Sequence, residues 1–184
     1  MPTLHRKEKL LLYGSNIWNF GDGMLGPLFA VFAERIGGNI LDISWAWATY
    51  LICTGVFTII IGKLSDGLNK ERMLVFGYAL TSLFTFGYLF VSTPIHLFII
   101  QAGLGLALAL SNPTWMALYD KYSDGPNDGY IWGLADGESK IMLGLAIIVG
   151  GFIVNFFSFT ALFIIMGVIQ SIATIYQAQI LDVV

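Results

Sequence analysis

Six long apolar runs, separated by short polar or turn-forming breaks, constrain this chain more than any other feature. A helix rises 1.5 Å per residue, so about 20 apolar residues cross the roughly 30 Å hydrocarbon core of a bilayer. The runs predict membrane-spanning helices over 10–33, 43–61, 73–91, 95–119, 131–156 and 159–179, forming a single six-helix domain over 1–184. Gly37-Gly38-Asn39 is a turn cluster, and the polar stretch from Ser65 to Arg72 cannot sit in hydrocarbon. Ser92-Thr93-Pro94 and the Gly, Pro, Asn and Asp of 123–129 end two more helices. The last break, at Phe157-Ser158, is weakly marked, but the 36 residues from Ile141 to Tyr176 are too long for one crossing.

Composition supports lipid as the main solvent. Of 184 residues 57% are hydrophobic and only 11% charged, against about 25% charged in soluble domains. The net charge of −3 leaves no basic face for nucleic acid. Cys53 is the only cysteine, so no intrachain disulfide can form, and an inert buried thiol is expected. A removable signal peptide is not expected, because the first apolar block carries Asn16, Asn19 and Asp22. No zinc spacing, phosphate loop or nucleophile grouping is visible, so no cofactor, metal or enzymatic activity is expected.

Lys and Arg placement sets the expected orientation. With the N-terminus inside, Arg6, Lys7, Lys9, Lys63, Lys70, Arg72, Lys121 and Lys140 lie on the inner side, and Arg35 alone lies outside. An even number of crossings returns the C-terminus to the cytoplasm. The expected location is a cell membrane, with many passes and both termini cytoplasmic.

Asp22 is the sharpest single residue. It lies about 12 residues beyond Leu10, roughly 18 Å along the helix and near mid-membrane, where a charge is costly unless it faces protein or water. Asn16 and Asn19, at spacings of three, extend it into a polar stripe, and Trp18 lies beside that stripe. In the fifth helix Asp136 and Lys140 have the spacing of an intrahelical ion pair. If that helix enters lipid near Ile131, Lys140 lies deep enough to reach Asp22 or a bound solute. If the span starts at Ile141, Asp136, Glu138 and Lys140 all belong to the wet boundary. Asp120 and Asp124 are expected partners for Arg72. The tryptophans are expected chiefly as interfacial anchors, and Gly133, Gly137, Gly103 and Gly105 as sites of close helix packing.

Gly62-Lys63-Leu64-Ser65-Asp66-Gly67-Leu68-Asn69-Lys70-Glu71-Arg72 resembles the signature loop between helices 2 and 3 of the major facilitator superfamily. Gly62, Leu64, Asp66, Lys70 and Arg72 keep the pattern, and Asn69 replaces its second glycine, as a residue tolerated in left-handed turns. Gly62 would permit close helix approach, and Asp66 would cap another helix's N-terminus. The resemblance covers nearly the whole chain. Asn19 to Pro27 looks like the kinked first helix of exporters in the family, and Leu97 to Gly105 is similar to its fourth-helix pattern, with Gln101 where an arginine usually stands. Ala146-Ile147 replaces the Gly-Pro pair of antiporters in the fifth helix.

The resemblance implies one six-helix half of a twelve-helix fold whose substrate site lies between two halves. It implies a secondary-active transporter of a small organic solute working by alternating access, with export of hydrophobic or cationic compounds as the expectation. Asp22, Asn19, Asn16, Trp18, Gln101 and Lys140 are the expected substrate- or ion-binding residues, and Gly62, Asp66, Lys70, Arg72 and Asp120 the gating set. The expected partners are the bilayer, the solute, and a second copy or a complementary six-helix half. A non-transporting membrane subunit, or the N-terminal half of a longer transporter, is the alternative.

Overall fold

The computed structural model describes residues 5–65, 67–123 and 128–182. Among the described residues there are seven α-helices: α1 Arg6–Gly23, α2 Leu28–Arg35, α3 Ile40–Ser65, α4 Lys70–Gly87, α5 Pro94–Tyr122, α6 Asp128–Phe156 and α7 Phe159–Ala178. Single 3₁₀ turns, Tyr88–Phe90 and Gln179–Leu181, extend α4 and α7. Five of the seven helices, α3 to α7, are long and apolar enough to cross a membrane.

The helix ends follow their local chemistry. The His5 backbone N–H donates to the Glu8 carboxylate at the start of α1. The first predicted helix is not continuous. It divides between Gly23 and Leu28, because Pro27 lacks a donor and its ring clashes with the preceding turn. At the far end of α2, Gly37 takes φ +87°. Gly38 N–H then donates to Ala33 O at 2.9 Å and Gly37 N–H to Glu34 O at 3.0 Å, a glycine-ended C-cap. Asn39 accepts from Leu41 and Asp42 N–H groups, while Asp42 accepts from Asn39 N–H, which starts α3. Thr93 with Pro94 at the first helical position opens α5. Ser158 accepts from Ala161 N–H at 3.1 Å and opens α7, so the weak Phe157-Ser158 break is a true helix end.

Asn69 departs from the left-handed turn expected of it. Its backbone is extended, φ −72° and ψ 110°, and its side chain accepts from Arg72 N–H at 2.8 Å as the N-cap of α4. Asn69→Ala should therefore lower stability by about 1 kcal/mol, and Asn69→Gly by only a few tenths. Thermal unfolding in detergent checks the order of the two.

The helices pack through α5 onto α3 and α4, α4 onto α7, and α1 onto α6 and α7. Two apolar clusters fill the bundle. Phe32, Tyr88, Phe159 and Phe163 anchor one, and Leu11, Leu74, Leu118 and Tyr119 the other. Lipid gives helices no hydrophobic push together, so contact depends on small residues that admit close approach. A β-carbon at Gly105 would lie 2.7 Å from the Tyr50 carbonyl oxygen, and one at Gly77 3.0 Å from that of Ala107. Gly133 and Gly137 do not act in this way, since a β-carbon there meets nothing within 4 Å. In α4, α5 and α7 39% of the apolar core is buried, but only 6% in α3 and 11% in α6. These two helices leave broad apolar faces bare, with Leu51, Ile52, Val56 and Ile59 on α3 and Ile141, Leu145, Ile148 and Phe152 on α6.

Candidate functional site: an aromatic cavity beside a split polar helix

A cavity of about 260 Å³ opens between α1, α4, α5 and α6. Ser15, Trp18 and Asn19 reach it from α1, and Tyr78 from α4. Leu108, Ser111, Asn112, Trp115 and Met116 line it from α5, and Trp132, Ala135, Asp136 and Ser139 from α6. The spacings 15, 18, 19 and 132, 135, 136, 139 each trace one helix face. The wall is thus four aromatic rings with a few convergent polar groups, the usual composition of a small-molecule site.

The rings are braced. Trp115 stacks on Tyr119 at 4.7 Å between centroids, and Trp132 meets both edge-on at 5.3 and 6.3 Å. Trp115 Nε1 donates to the Leu11 carbonyl at 3.1 Å, and Tyr119 O–H to the Ile131 carbonyl at 3.1 Å. Trp18 lies 5.9 Å from Tyr78, and its indole N–H is buried without a protein partner. Three of the five tryptophans therefore surround the cavity: Trp18, already among the expected binding residues, and Trp115 and Trp132, for which anchoring at the membrane interface had been expected. Trp45 and Trp47 do lie exposed, near the start of α3.

The polar stripe of α1 divides between two environments. Each step of three residues falls about 60° short of a full turn, so Asn16 and Asp22 lie roughly 120° apart around the helix. Asn19 lines the cavity, whereas Asn16 is buried against α6 with its Nδ2 donating to the Glu138 carboxylate. Asp22 is exposed one turn beyond the cavity residues, and its charge acts on the hydroxyls of Tyr50 from α3 and Tyr88 after α4. Tyr88 O–H donates to Gln101 Oε1 at 3.1 Å, and Gln101 is only 2% exposed. Neither Asp22 nor Gln101 lines the cavity.

Lys140 pairs with Asp136 at 3.5 Å, and both side chains are largely exposed. Asp136 rather than Lys140 lines the cavity. Of the gating residues, Asp66 lies outside the described residues, as does Asp124. Among the described residues a β-carbon at Gly62 would meet nothing within 4 Å. Lys70 is half-buried at the first turn of α4, and Arg72 and Asp120 are exposed. Among the described residues Arg72 and Asp120 form no ion pair. Instead Tyr122 O–H donates to Glu71 at 2.6 Å and ties α5 to α4.

Sequence reading overlooked three buried polar side chains and the part-buried contact of a fourth, Glu138. Glu8 is 3% exposed, and Gln170 and Gln177 of α7 are fully buried against α1. Gln170 Nε2 donates to the Trp18 carbonyl at 3.1 Å, and the Gln177 side chain occupies the notch left by Gly14. Glu138 had been noted only as a boundary charge. The helical spacing of Gly14 and Gly21, equal to that of Gln170 and Gln177, was the available signal.

Among the described residues, an all-helical bundle with five helices long and apolar enough to cross a membrane defines a polytopic membrane protein. The sequence profile of the Major Facilitator Superfamily matches residues 12–180, and the chain belongs to that family. It is 23% identical over 162 residues to the uncharacterized MFS-type transporter MJ1560 of Methanocaldococcus jannaschii, covering 88% of this chain and 42% of that one. It is 29% identical over 87 residues to the multidrug resistance protein MdtG of Yersinia enterocolitica, covering 45% and 21%. The uncharacterized MFS-type transporter YitZ of Bacillus subtilis is 20% identical over 147 residues, covering 78% of this chain and 88% of that protein. The chain thus spans less than half the length of the first two relatives, and nearly all of the third.

Proposed function

We propose that the chain is half of a secondary-active transporter, moving a small organic solute by alternating access with a second six-helix bundle. In this reading α1 and α2 together make the first crossing, kinked at Pro27, which gives six crossings. The basic residues at the start of α1, the end of α3 and the start of α4 face the cytoplasm, as do both termini.

The carrying observation is the cavity itself, with four aromatic rings, Asn19 and Asn112 amides and the Asp136 carboxylate. Ring faces and a carboxylate together favour an organic cation with apolar bulk. The printed name of MdtG, a multidrug resistance protein, agrees with export of such compounds. The bare faces of α3 and α6 suit a second bundle, either a further copy in the same orientation or a complementary half. Two parallel copies about an axis normal to the membrane would restore the symmetry of a full-length transporter.

Purified protein in proteoliposomes should accumulate ethidium, a hydrophobic organic cation, under an imposed pH or voltage gradient. Asp22→Asn should lower that rate roughly tenfold, the equivalent of about 1.4 kcal/mol, through the polar groups one turn beyond the cavity and not through a contact with the solute. An unchanged rate in Asp22→Asn would remove Asp22 from the mechanism. No movement by the wild-type protein under any gradient would favour a non-transporting subunit.

A further inference from the structure

We propose that the Tyr78 hydroxyl selects the ligand of the cavity, donating a hydrogen bond to an aromatic compound that carries an acceptor such as a carbonyl. That this ligand is the transported solute rests on the transporter reading above; that the hydroxyl recognises an acceptor does not.

Three tyrosines are buried among the described residues: Tyr78, Tyr88 and Tyr119. A buried tyrosine hydroxyl ordinarily finds a partner. Tyr88 donates to Gln101 Oε1 and Tyr119 to the Ile131 carbonyl, both at 3.1 Å. Tyr78 is 3% exposed, yet among the described residues its hydroxyl has no protein partner. Nor is that oxygen sealed inside protein, as the unpartnered Trp18 Nε1 and Gln170 Oε1 are. Tyr78 lines the cavity from α4, so the cavity is the space its hydroxyl meets.

Helix packing puts the ring there. Gly77 lets α4 come against α5, where a β-carbon would lie 2.9 Å from Ser111 Cβ. The next residue, Tyr78, thereby reaches the cavity wall, its ring centroid 5.9 Å from that of Trp18 on α1. Two serines of the wall are already spent, Ser15 on the Leu12 carbonyl and Ser111 on that of Ala107. Ser139 and the Asn19 and Asn112 amides have no protein partner among the described residues, but none of the three is buried. Among the polar lining residues Tyr78 alone is both buried and unpartnered.

A phenol can donate or accept, but delocalisation of its oxygen lone pair into the ring makes it the stronger donor. A ligand without an acceptor would leave the O–H covered and unpaired, so the site discriminates against it. Charge is read elsewhere, by Asp136 on α6. Acceptor recognition therefore holds for uncharged and cationic aromatic compounds alike.

Four probes separate the two kinds of recognition. Two are cations, an acetyl-substituted N-methylquinolinium and its isopropyl counterpart; two are uncharged, acetylnaphthalene and isopropylnaphthalene. Acetyl and isopropyl groups have nearly the same shape, and only acetyl accepts a hydrogen bond. Binding to the full chain in lipid nanodiscs is read from tryptophan quenching, with partition into empty nanodiscs subtracted. Wild type should bind each acetyl compound roughly five- to tenfold more tightly than its isopropyl counterpart, the worth of one hydrogen bond. Tyr78→Phe keeps the ring and should bring both ratios to about one, with the isopropyl compounds bound as before. In wild type the infrared carbonyl stretch of the bound acetyl probe should lie below that of the same carbonyl free of hydrogen bonds. Equal binding of acetyl and isopropyl compounds by wild type, a preference that survives in Tyr78→Phe, or an unshifted carbonyl stretch overturns the proposal. So does failure of all four probes to bind. If the cations bind no more tightly than the uncharged compounds, the organic-cation reading fails by itself, and the uncharged pair still decides the role of Tyr78.

Discussion

Gly150→Val should leave little folded protein, and Gly150→Ala should unfold at a clearly lower temperature than wild type. Gly150 of α6 lies against the break after α1, where a β-carbon would fall 2.1 Å from the Met24 carbonyl oxygen and 3.0 Å from its Cα. The obstacle is backbone, not the end of a flexible side chain, so neither helix can yield without moving as a whole. Overpacking of this kind costs about 1–3 kcal/mol per site and more for a branched side chain. Gly144 and Gly151 are controls on the same helix, because a β-carbon there meets nothing within 4 Å. Alanine at those two positions should be neutral or stabilise by up to about 1 kcal/mol through helix propensity. Thermal unfolding of the four variants and wild type in one detergent checks the pattern.

Trp115→Ala should remove both the cavity wall and part of the fold. The indole holds α5 to α1 through the Leu11 carbonyl and stacks on Tyr119, within one cluster that also includes Trp132. Truncating a large ring in a packed site costs about 3–5 kcal/mol, and less where one face is open to a cavity. Trp115→Phe should recover most of the stability but not the hydrogen bond to Leu11. Ethidium binding, measured by fluorescence, should weaken roughly tenfold or more in the alanine variant, in line with a lost aromatic contact to a cation. Equal binding by the alanine variant and wild type would place the ligand elsewhere.

Much of this architecture was legible in the sequence because lipid imposes length. The apolar runs over 43–61, 73–91, 95–119, 131–156 and 159–179 correspond to α3 through α7, each extended by a few residues through polar caps such as Asn39, Asn69 and Thr93. The first run misled, because α1 ends at Gly23, one residue past Asp22 and ahead of Gly26 and Pro27, while hydropathy continues through them. Family membership was readable from the loop after α3, although the Asn69 side chain caps a helix there and does not form a turn.

The site was less legible. A spacing of three placed Asn16, Asn19 and Asp22 on one stripe, but the helix has 3.6 residues per turn and sends them to three different surroundings. Pairing across helices had no local signature. Asn16 with Glu138 is separated by 122 residues and Trp18 with Gln170 by 152, and only the folded bundle brings them together. The tryptophans of α5 and α6 had a readable pattern in Ser111, Asn112 and Trp115 and in Trp132, Asp136 and Ser139. A prior favouring interfacial tryptophan obscured it.

The central claim is that two six-helix bundles meet across α3 and α6 with their cavities facing one another. Intersubunit crosslinking tests it most directly. In a Cys53→Ser background, Leu68→Cys after α3 and Tyr130→Cys at the start of α6 are both exposed positions. The two single-cysteine chains, co-expressed with different tags and treated with a short bifunctional maleimide in native membranes, should give a product of twice the chain mass carrying both tags. A product of single-chain mass only, formed when both cysteines share one chain and absent when they are split between two, would contradict the account.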